Sequence, residues 1–202
     1  MPDRMLIFPF LFLMLGPFKI IGPFAKMTTG ADPALIRQLA IRSIIFSSIA
    51  LLIAAFLGEM ILSKYGIPLP ILGISGGIIL FLVALLNVIQ QFAPIEASEK
   101  NVVTPTLKMA MNPLAFPTIV TPYGIAAVIV IFAYSPDLNS KIIVGATVLG
   151  IMVLNLVIML ITRYVFKFLA IFLAILGAIL GVIQVALGLL IIYNQLRILL
   201  KL

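Results

Sequence analysis

The chain contains no cysteine, no histidine and no tryptophan, and only 6 of its 202 residues are acidic. Without cysteine it forms no disulfide, and without either cysteine or histidine it lacks the common zinc ligands. It also lacks the imidazole that most often serves in acid–base catalysis. The few carboxylates lie almost entirely at the ends of apolar runs. We therefore predict that the protein is not an enzyme, holds no metal and needs no cofactor.

Charge of either sign is also scarce. Only 9% of the residues are charged and 64% are hydrophobic, with a mean hydropathy of +1.34. A soluble domain carries about 25% charged residues, because it must cover its surface with groups that water solvates. Several uncharged runs reach the length of about 20 residues that crosses a bilayer. The composition thus predicts an integral membrane protein with the lipid bilayer as its surroundings.

The apolar runs divide the chain into six predicted membrane segments. They cover residues 5–28, 41–62, 67–92, 109–134, 142–165 and 168–195. The connections, such as "SKYGIP" and "SPDLNSK", are short and carry turn residues, so neighbouring helices are expected to be antiparallel. We predict an all-α polytopic fold that forms a single transmembrane domain over residues 1–202.

The two halves of the chain resemble each other. The third segment reads "ILGISGGIILFLVALLNVIQ" from Ile71, and the sixth reads "ILGAILGVIQVALGLLIIYNQ" from Ile175. The offset is 104 residues, and a second match at a similar offset relates "PFKIIGPF" to "PTIVTPYG". We predict two three-helix repeats, residues 1–95 and 103–202. Because three spans is an odd number, the second repeat would insert upside down, as in many transporters.

The basic residues give an orientation but no nucleic-acid partner. Although the net charge is +7, the cations are scattered between the apolar runs without a basic stripe, which is typical of headgroup anchors. The connections after the first, third and fifth segments hold seven of them, and the termini and other connections hold five. This distribution favours both termini on the non-cytoplasmic side of the cell (inner or plasma) membrane. The first group is Lys26, Arg37, Arg42, Lys100, Lys108, Arg163 and Lys167, and the second is Arg4, Lys64, Lys141, Arg197 and Lys201.

The first and fourth segments contain far more helix breakers than one kink requires. A single proline in a membrane helix indicates a simple kink, but here prolines and glycines cluster at corresponding places in both halves. Unwound backbone is tolerated at membrane depth only where it is buried in protein or lines a wet cavity. We therefore predict a substrate site near the midplane, between two broken helices. Its candidate residues are Pro17, Lys19, Gly22, Pro23, Asn112, Pro117, Thr118, Thr121, Pro122 and Gly124.

The chemistry of such a site suits a zwitterion. Half-helix N-termini near Pro17–Pro23 and Pro117–Pro122 would hold a carboxylate, while Asn112, Thr118 and Thr121 would add hydrogen bonds. Unwound carbonyls could accept from an ammonium group or coordinate a coupling ion, Na⁺ or H⁺. Lys19 has two interpretations: it reaches the membrane interface, or it binds a substrate carboxylate.

Other polar and small residues are better explained by helix packing. Asn87, Gln90, Asn155 and Gln184 are expected to form interhelical hydrogen bonds rather than to bind ligands. The glycines of the third and sixth segments allow close helix approach, although a direct contact with substrate is the alternative. These glycines are Gly73, Gly76, Gly77, Gly177 and Gly181.

The two proline-rich motifs and the stretch between them resemble the MarC family of bacterial and archaeal inner-membrane proteins. The resemblance covers nearly the whole chain, and its strongest motif is "NPLAFPTIVTPYGIAAVI"; "GISGG" is similar to the family's glycine pair. The first half departs from the family pattern. Gly16-Pro17-Phe18-Lys19 stands where many members have Asn-Pro or Asp-Pro followed by glycine.

The resemblance implies transport. Some members of the family are described as transporters of small neutral amino acids such as glycine and alanine, so it implies that this chain moves such substrates by alternating access. The alternatives are an exporter of drugs or other metabolites, which would need a wider apolar cavity, and a non-transporting membrane scaffold, which would be tightly packed through the breaks. An ion channel fits less well, since neither a ring of charge nor a repeated carbonyl filter is visible.

Overall fold

The computed structural model describes the backbone of residues 4–92, 105–135 and 137–201, and the side chains of 7–89, 105–135, 137–162 and 175–201. All regular elements within these residues are helical. They are α1 (Arg4–Leu15), α2 (Phe18–Met27), α3 (Pro33–Tyr65), α4 (Leu69–Phe92), a 3₁₀ turn (Leu107–Ala110), an irregular segment (Met111–Ile119), α5 (Pro122–Ala133) and α6 (Leu138–Leu200). The boundary predicted between the two repeats, residues 95–103, lies outside the described residues.

Five stretches are long and apolar enough to cross a membrane, and a sixth consists of two helical pieces bent by 64°. The five are Ile7–Met27, Pro33–Tyr65, Leu69–Ile89, Leu138–Thr162 and Ile175–Leu200, and the bent pair is Leu107–Ile119 with Pro122–Ala133. The all-helical, multi-span prediction is therefore confirmed. The 3+3 repeat and the side on which the termini lie stay predictions.

The second span begins eight residues earlier than predicted, at Pro33 instead of residue 41. The Asp32 side chain accepts a hydrogen bond from Ala34 N, and Pro33 occupies the first helical position, where its missing N–H costs nothing. The predicted connection between the first two segments, residues 29–40, is thus helical from Pro33 onward. The far end of α3 is terminated by Gly66, whose φ of 62° is left-handed.

α6 doubles back on itself. Asn155 Nδ2 donates to Leu15 O over 2.8 Å, and Gln184 Nε2 donates to Leu13 O over 3.2 Å. A straight helix would separate Asn155 from Gln184 by roughly 43 Å, whereas Leu13 and Leu15 differ by about 3 Å along α1. The chain therefore reverses between Asn155 and Gln184. The halves Leu138–Thr162 and Ile175–Leu200 act as separate spans, as the sequence predicts.

α4 and the second half of α6 run antiparallel at close range. A Cβ added at Gly73 would lie 2.8 Å from Gln195 Cγ, and one added at Gly188 would lie 2.8 Å from the backbone nitrogen of Phe81. Gly77 and Gly181 have contacts of the same kind, with Ile192 and Val88. Gly177 differs from the other glycines of this group, because nothing lies within 4 Å of an added Cβ there. Small residues thus set the α4–α6 distance, as membrane helices require.

The ends of α3 and α5 and the beginning of α6 meet at one edge of the bundle. Lys141 Nζ lies 2.5 Å from Glu59 Oε1 and 5.3 Å from the centre of the Phe132 ring. Phe132 packs edge-on against Phe56, with 4.9 Å between ring centres. The ion pair is partly exposed, so its contribution to stability is modest.

The α4–α6 contact predicts opposite effects for alanine at two glycines of α6. Gly188→Ala places a methyl group against the Phe81 backbone, which cannot move away as a flexible side chain could, and should destabilise by about 1–3 kcal/mol. Gly150→Ala is the control, because Gly150 is exposed and has no atom within 4 Å of the added carbon. It should be neutral or stabilising by up to about 1 kcal/mol. Thermal unfolding in detergent measures both variants, and equal stability of the two would contradict the close approach.

Candidate functional site

The first break lies at the centre of its span. α1 ends at Leu15 and α2 begins at Phe18, so Gly16 and Pro17 stand midway along Ile7–Met27. Proline has no N–H and therefore cannot donate to the carbonyl of Leu13, four residues earlier. A Cβ on Gly16 would lie 2.1 Å from Phe12 O, which accepts from Gly16 N. Only glycine fits at this position without a backbone shift.

The last three carbonyls of α1, those of Leu13, Met14 and Leu15, have no helical partner and are all satisfied by side chains. Phe12 O keeps its helical bond, from Gly16 N four residues later, over 2.7 Å. Leu13 O accepts from Gln184 and Leu15 O from Asn155, and the ammonium of Lys19 donates to Met14 O. A helix end in hydrocarbon must find such partners, since no water replaces them. The expectation that Asn155 and Gln184 form interhelical hydrogen bonds is confirmed.

The second break lies at the centre of the bent pair. Val120 and Thr121 separate the irregular segment from α5, and Thr121 caps α5 by accepting from Gly124 N over 3.2 Å. Within the irregular segment, Asn112 and Phe116 have extended backbone angles, and the peptide bonds that follow them are cis. This break satisfies its groups locally.

The two breaks meet through the side chains of Lys19 and Tyr123. Lys19 Nζ lies 3.0 Å from Tyr123 Oη and 4.7 Å from the centre of its ring. α1 and α5 also approach closely beside this pair, because a Cβ added at Gly124 would lie 2.7 Å from Leu15 Cδ2. In the described part of the chain no carboxylate forms an ion pair with Lys19. A cation at mid-span thus depends on one carbonyl, one phenol and one aromatic face.

A cavity of about 520 Å³ opens next to the breaks. Met14 and Tyr123 belong both to its wall and to the region around Lys19. The wall is mostly apolar and comes from α1, α4, α5 and the second half of α6. Its polar side chains are Tyr123, Tyr134, Asn194 and Gln195, and Gly73, Gly76 and Gly77 also line it. Gln195 Oε1 is buried without a hydrogen-bond partner.

The structure brings only part of the predicted site together. Lys19, Thr121 and Gly124 lie where the two breaks meet, and Pro17 is buried beside them. Pro122 stands between Thr121 and Tyr123 but is exposed. Asn112, Pro23 and Pro117 are also exposed, no atom of the described residues lies within 4 Å of a Cβ added at Gly22, and the Thr118 hydroxyl donates to Pro113 O.

The sequence predicts a cavity at the breaks, but neither Tyr123 nor the residues that line the cavity were predicted. None of the ten predicted substrate-binding residues lines the cavity, whereas three of the glycines assigned to helix packing do. Matching Pro17 with Pro117 pairs Lys19 with Ile119, whereas the offset of 104 residues between the third and sixth segments pairs it with Tyr123, and this second offset was the available signal. Asn87 is exposed, and the side chain of Gln90 lies outside the described residues.

Because Gln184 caps the C-terminal end of α1 from another helix, removing its side-chain amide should lower the stability of the protein. Gln184→Met keeps the length of the side chain and leaves the Leu13 carbonyl without a donor. We expect a loss of about 1 kcal/mol, or a fall of about 3 °C in the unfolding temperature. Gln38→Met is the matched control, because Gln38 is exposed on α3. The same small shift for both variants would exclude a specific role of the Gln184 hydrogen bond.

Comparison with known proteins gives a family. A UPF0056 membrane protein of Methanocaldococcus jannaschii is 34% identical over 146 residues, 71% of each chain. One from Aquifex aeolicus is 27% identical over 65% of this chain and 63% of its own length. The UPF0056 inner membrane protein YhgN of Escherichia coli is 24% identical over 67% and 66%. No solved structure matches. The model of the MarC family of integral membrane proteins matches residues 3–200, and the chain belongs to that family.

Proposed function

We propose that the protein is a secondary transporter that moves small neutral amino acids by alternating access, at a site between its two broken helices. Membership of a family of integral membrane proteins and the five to six apolar spans support a role within the bilayer. The relative from Escherichia coli is named an inner membrane protein, and we propose the same location here. Neither observation identifies a substrate, so the substrate class rests on the chemistry of the site.

The observation that carries the proposal is Lys19. An ionisable residue inside a membrane span is costly and typically marks a substrate or ion pathway. Lys19 is held at mid-span beside the cavity without a carboxylate in the described residues, so it can attract the carboxylate of an amino acid. Tyr123 would contact the same group, because its hydroxyl lies 3.0 Å from the ammonium and it lines the cavity.

The contacts between the halves support an inverted repeat. Shifting each residue by 104 positions converts the contact Gly77–Ile192 into Gly181–Val88, and both contacts are present at 2.9 and 2.8 Å from the added Cβ. The same shift carries Lys19 onto Tyr123, so their contact would lie on the pseudo-twofold axis. A shared axis through the two breaks is the arrangement in which inverted-repeat transporters alternate access.

A second candidate substrate class follows from the cavity wall. At about 520 Å³ and with a mostly apolar lining, the cavity exceeds what glycine or alanine would fill. The export of larger apolar metabolites or drugs fits this lining better, although the region around Lys19 and Tyr123 remains suited to an anionic group. A non-transporting scaffold fits poorly, because it needs no cavity next to a buried cation.

Counterflow in proteoliposomes tests the proposal directly. We expect vesicles preloaded with unlabelled alanine to accumulate radiolabelled alanine, with or without an imposed ion gradient. Leucine and a hydrophobic organic cation serve as the larger test solutes. Flux of the larger solutes alone would favour the second candidate, and no flux of any solute would favour a scaffold.

Removing the Tyr123 hydroxyl should weaken substrate binding. Tyr123→Phe keeps the ring in the cavity wall and loses one hydrogen bond to a charged group, which corresponds to about a tenfold lower apparent affinity. Tyr193→Phe is the matched control, since Tyr193 is 62% exposed on α6. The half-saturation concentration of counterflow is the measurement. Unchanged affinity in Tyr123→Phe would place the substrate away from the breaks.

Filling the cavity should block transport. Ala127 lies in the cavity wall on α5, and phenylalanine at this position would occupy part of the space that the substrate crosses. We expect Ala127→Phe to lower the rate of counterflow about tenfold, because overpacking also hinders movement of the wall. Ala146→Phe, at an exposed position of α6, should retain the rate. Equal rates in the two variants would exclude this cavity as the route.

A further inference from the structure

We infer that the end of α1 is a binding site for a monovalent cation, and that the ammonium of Lys19 fills it permanently. The site is centred on the Met14 carbonyl, which accepts from Lys19 and lies between the carbonyls of Leu13 and Leu15, which accept from Gln184 and Asn155. The inference deepens the proposed function, because it states what replaces a coupling ion at the first break.

The chemistry of the site is that of an oxygen-ligand cation site. The C-terminal end of a helix carries about half a negative charge, and its last carbonyls are directed away from the helix. Asn155 adds a side-chain oxygen: the residue is 1% exposed, its nitrogen donates to Leu15 O, and its Oδ1 is buried with no hydrogen-bond partner among the described residues. An oxygen left without a donor at such a place is a group that a cation could satisfy.

The same arrangement explains why a free ion is not needed. Broken-helix transporters use unwound carbonyls and half-helix C-termini to coordinate their coupling ions. Here Lys19 lies on α2, four residues after Leu15, and its ammonium extends back across the break to the Met14 carbonyl. A tethered ammonium cannot diffuse away as a free ion can, so no ion from solution is exchanged at the site during transport. Transport should then be independent of Na⁺ at this position.

A neutral residue at position 19 should open the site to an added ion. We expect Lys19→Met to unfold at a temperature about 4 °C higher in about 100 mM NaCl than in choline chloride of equal ionic strength. The wild-type protein and Lys19→Arg should show no difference between the two salts, because their own cation remains in place. Lys64→Met is the matched control: it removes an exposed lysine from the end of α3 and should also show none.

A second neutral variant distinguishes the loss of the cation from a failure to fold. Lys19→Gln retains donors for the Met14 carbonyl and should show the same effect, with a smaller shift. If both neutral variants aggregate while Lys19→Arg gives a monodisperse protein, the requirement for a positive charge at this place is supported. The inference is overturned if Na⁺ specifically stabilises the wild-type protein. It is also overturned if a folded neutral variant responds to Na⁺ no more than Lys64→Met does.

The measurement separates this inference from the proposed function. Thermal unfolding in two salts requires neither substrate nor flux. A negative result would leave counterflow of amino acids unaffected as a proposal, and an absence of counterflow in the wild-type protein would leave the cation site standing.

Discussion

The structure depends on the need to satisfy three carbonyls at the end of α1. Glycine and proline end the helix at mid-span, and no water is present in hydrocarbon to donate to the exposed carbonyls. Gln184 and Asn155 reach the carbonyls from the two halves of α6, and Lys19 reaches them from α2. These three side chains therefore fix the positions of α2 and of both halves of α6 around one point. Since an unsatisfied buried polar group costs about 1–3 kcal/mol, the break and its surroundings are stable only together.

The backbone groups left unpaired at the two breaks are hydrogen-bonded in different ways. The first depends on partners from distant parts of the chain, whereas the second uses its own residues: Thr121 caps α5, and Val120 N donates to Ala115 O. The backbone hydrogen bonds of the second break are therefore local, whereas those of the first depend on α6. α5 still packs closely on its neighbours, because a Cβ added at Gly124 would lie 2.7 Å from Leu15 Cδ2 and one added at Gly58 would lie 2.5 Å from Ile129 Cγ1.

The sequence predicts the spans and the places of the breaks, because both depend on local properties. Hydropathy marks the apolar runs, and Pro17 and Pro122 mark where backbone donors are lost. The sequence marks Asn155 and Gln184 as hydrogen-bonding residues but does not predict which carbonyls they reach, since those carbonyls lie 140 and 171 positions away. The lining of the cavity is not predicted for the same reason, because it combines residues far apart in the sequence, such as Met14, Gly76 and Asn194. The early start of α3 was readable, because Asp32-Pro33 is a common helix beginning.

The free-energy cost of burying the Lys19 ammonium links the contact between the two breaks to the binding of substrate. Burying an ammonium costs several kcal/mol unless it is compensated, and here the carbonyl of Met14 and the ring and hydroxyl of Tyr123 provide the compensation. Met14 belongs to the first break and Tyr123 to the second. Separating the breaks therefore removes the contribution of Tyr123. A carboxylate in the cavity would replace what Tyr123 supplies. Binding of an anionic group would thus lower the cost of moving α5 away from α1, which is the differential stabilisation that alternating access requires.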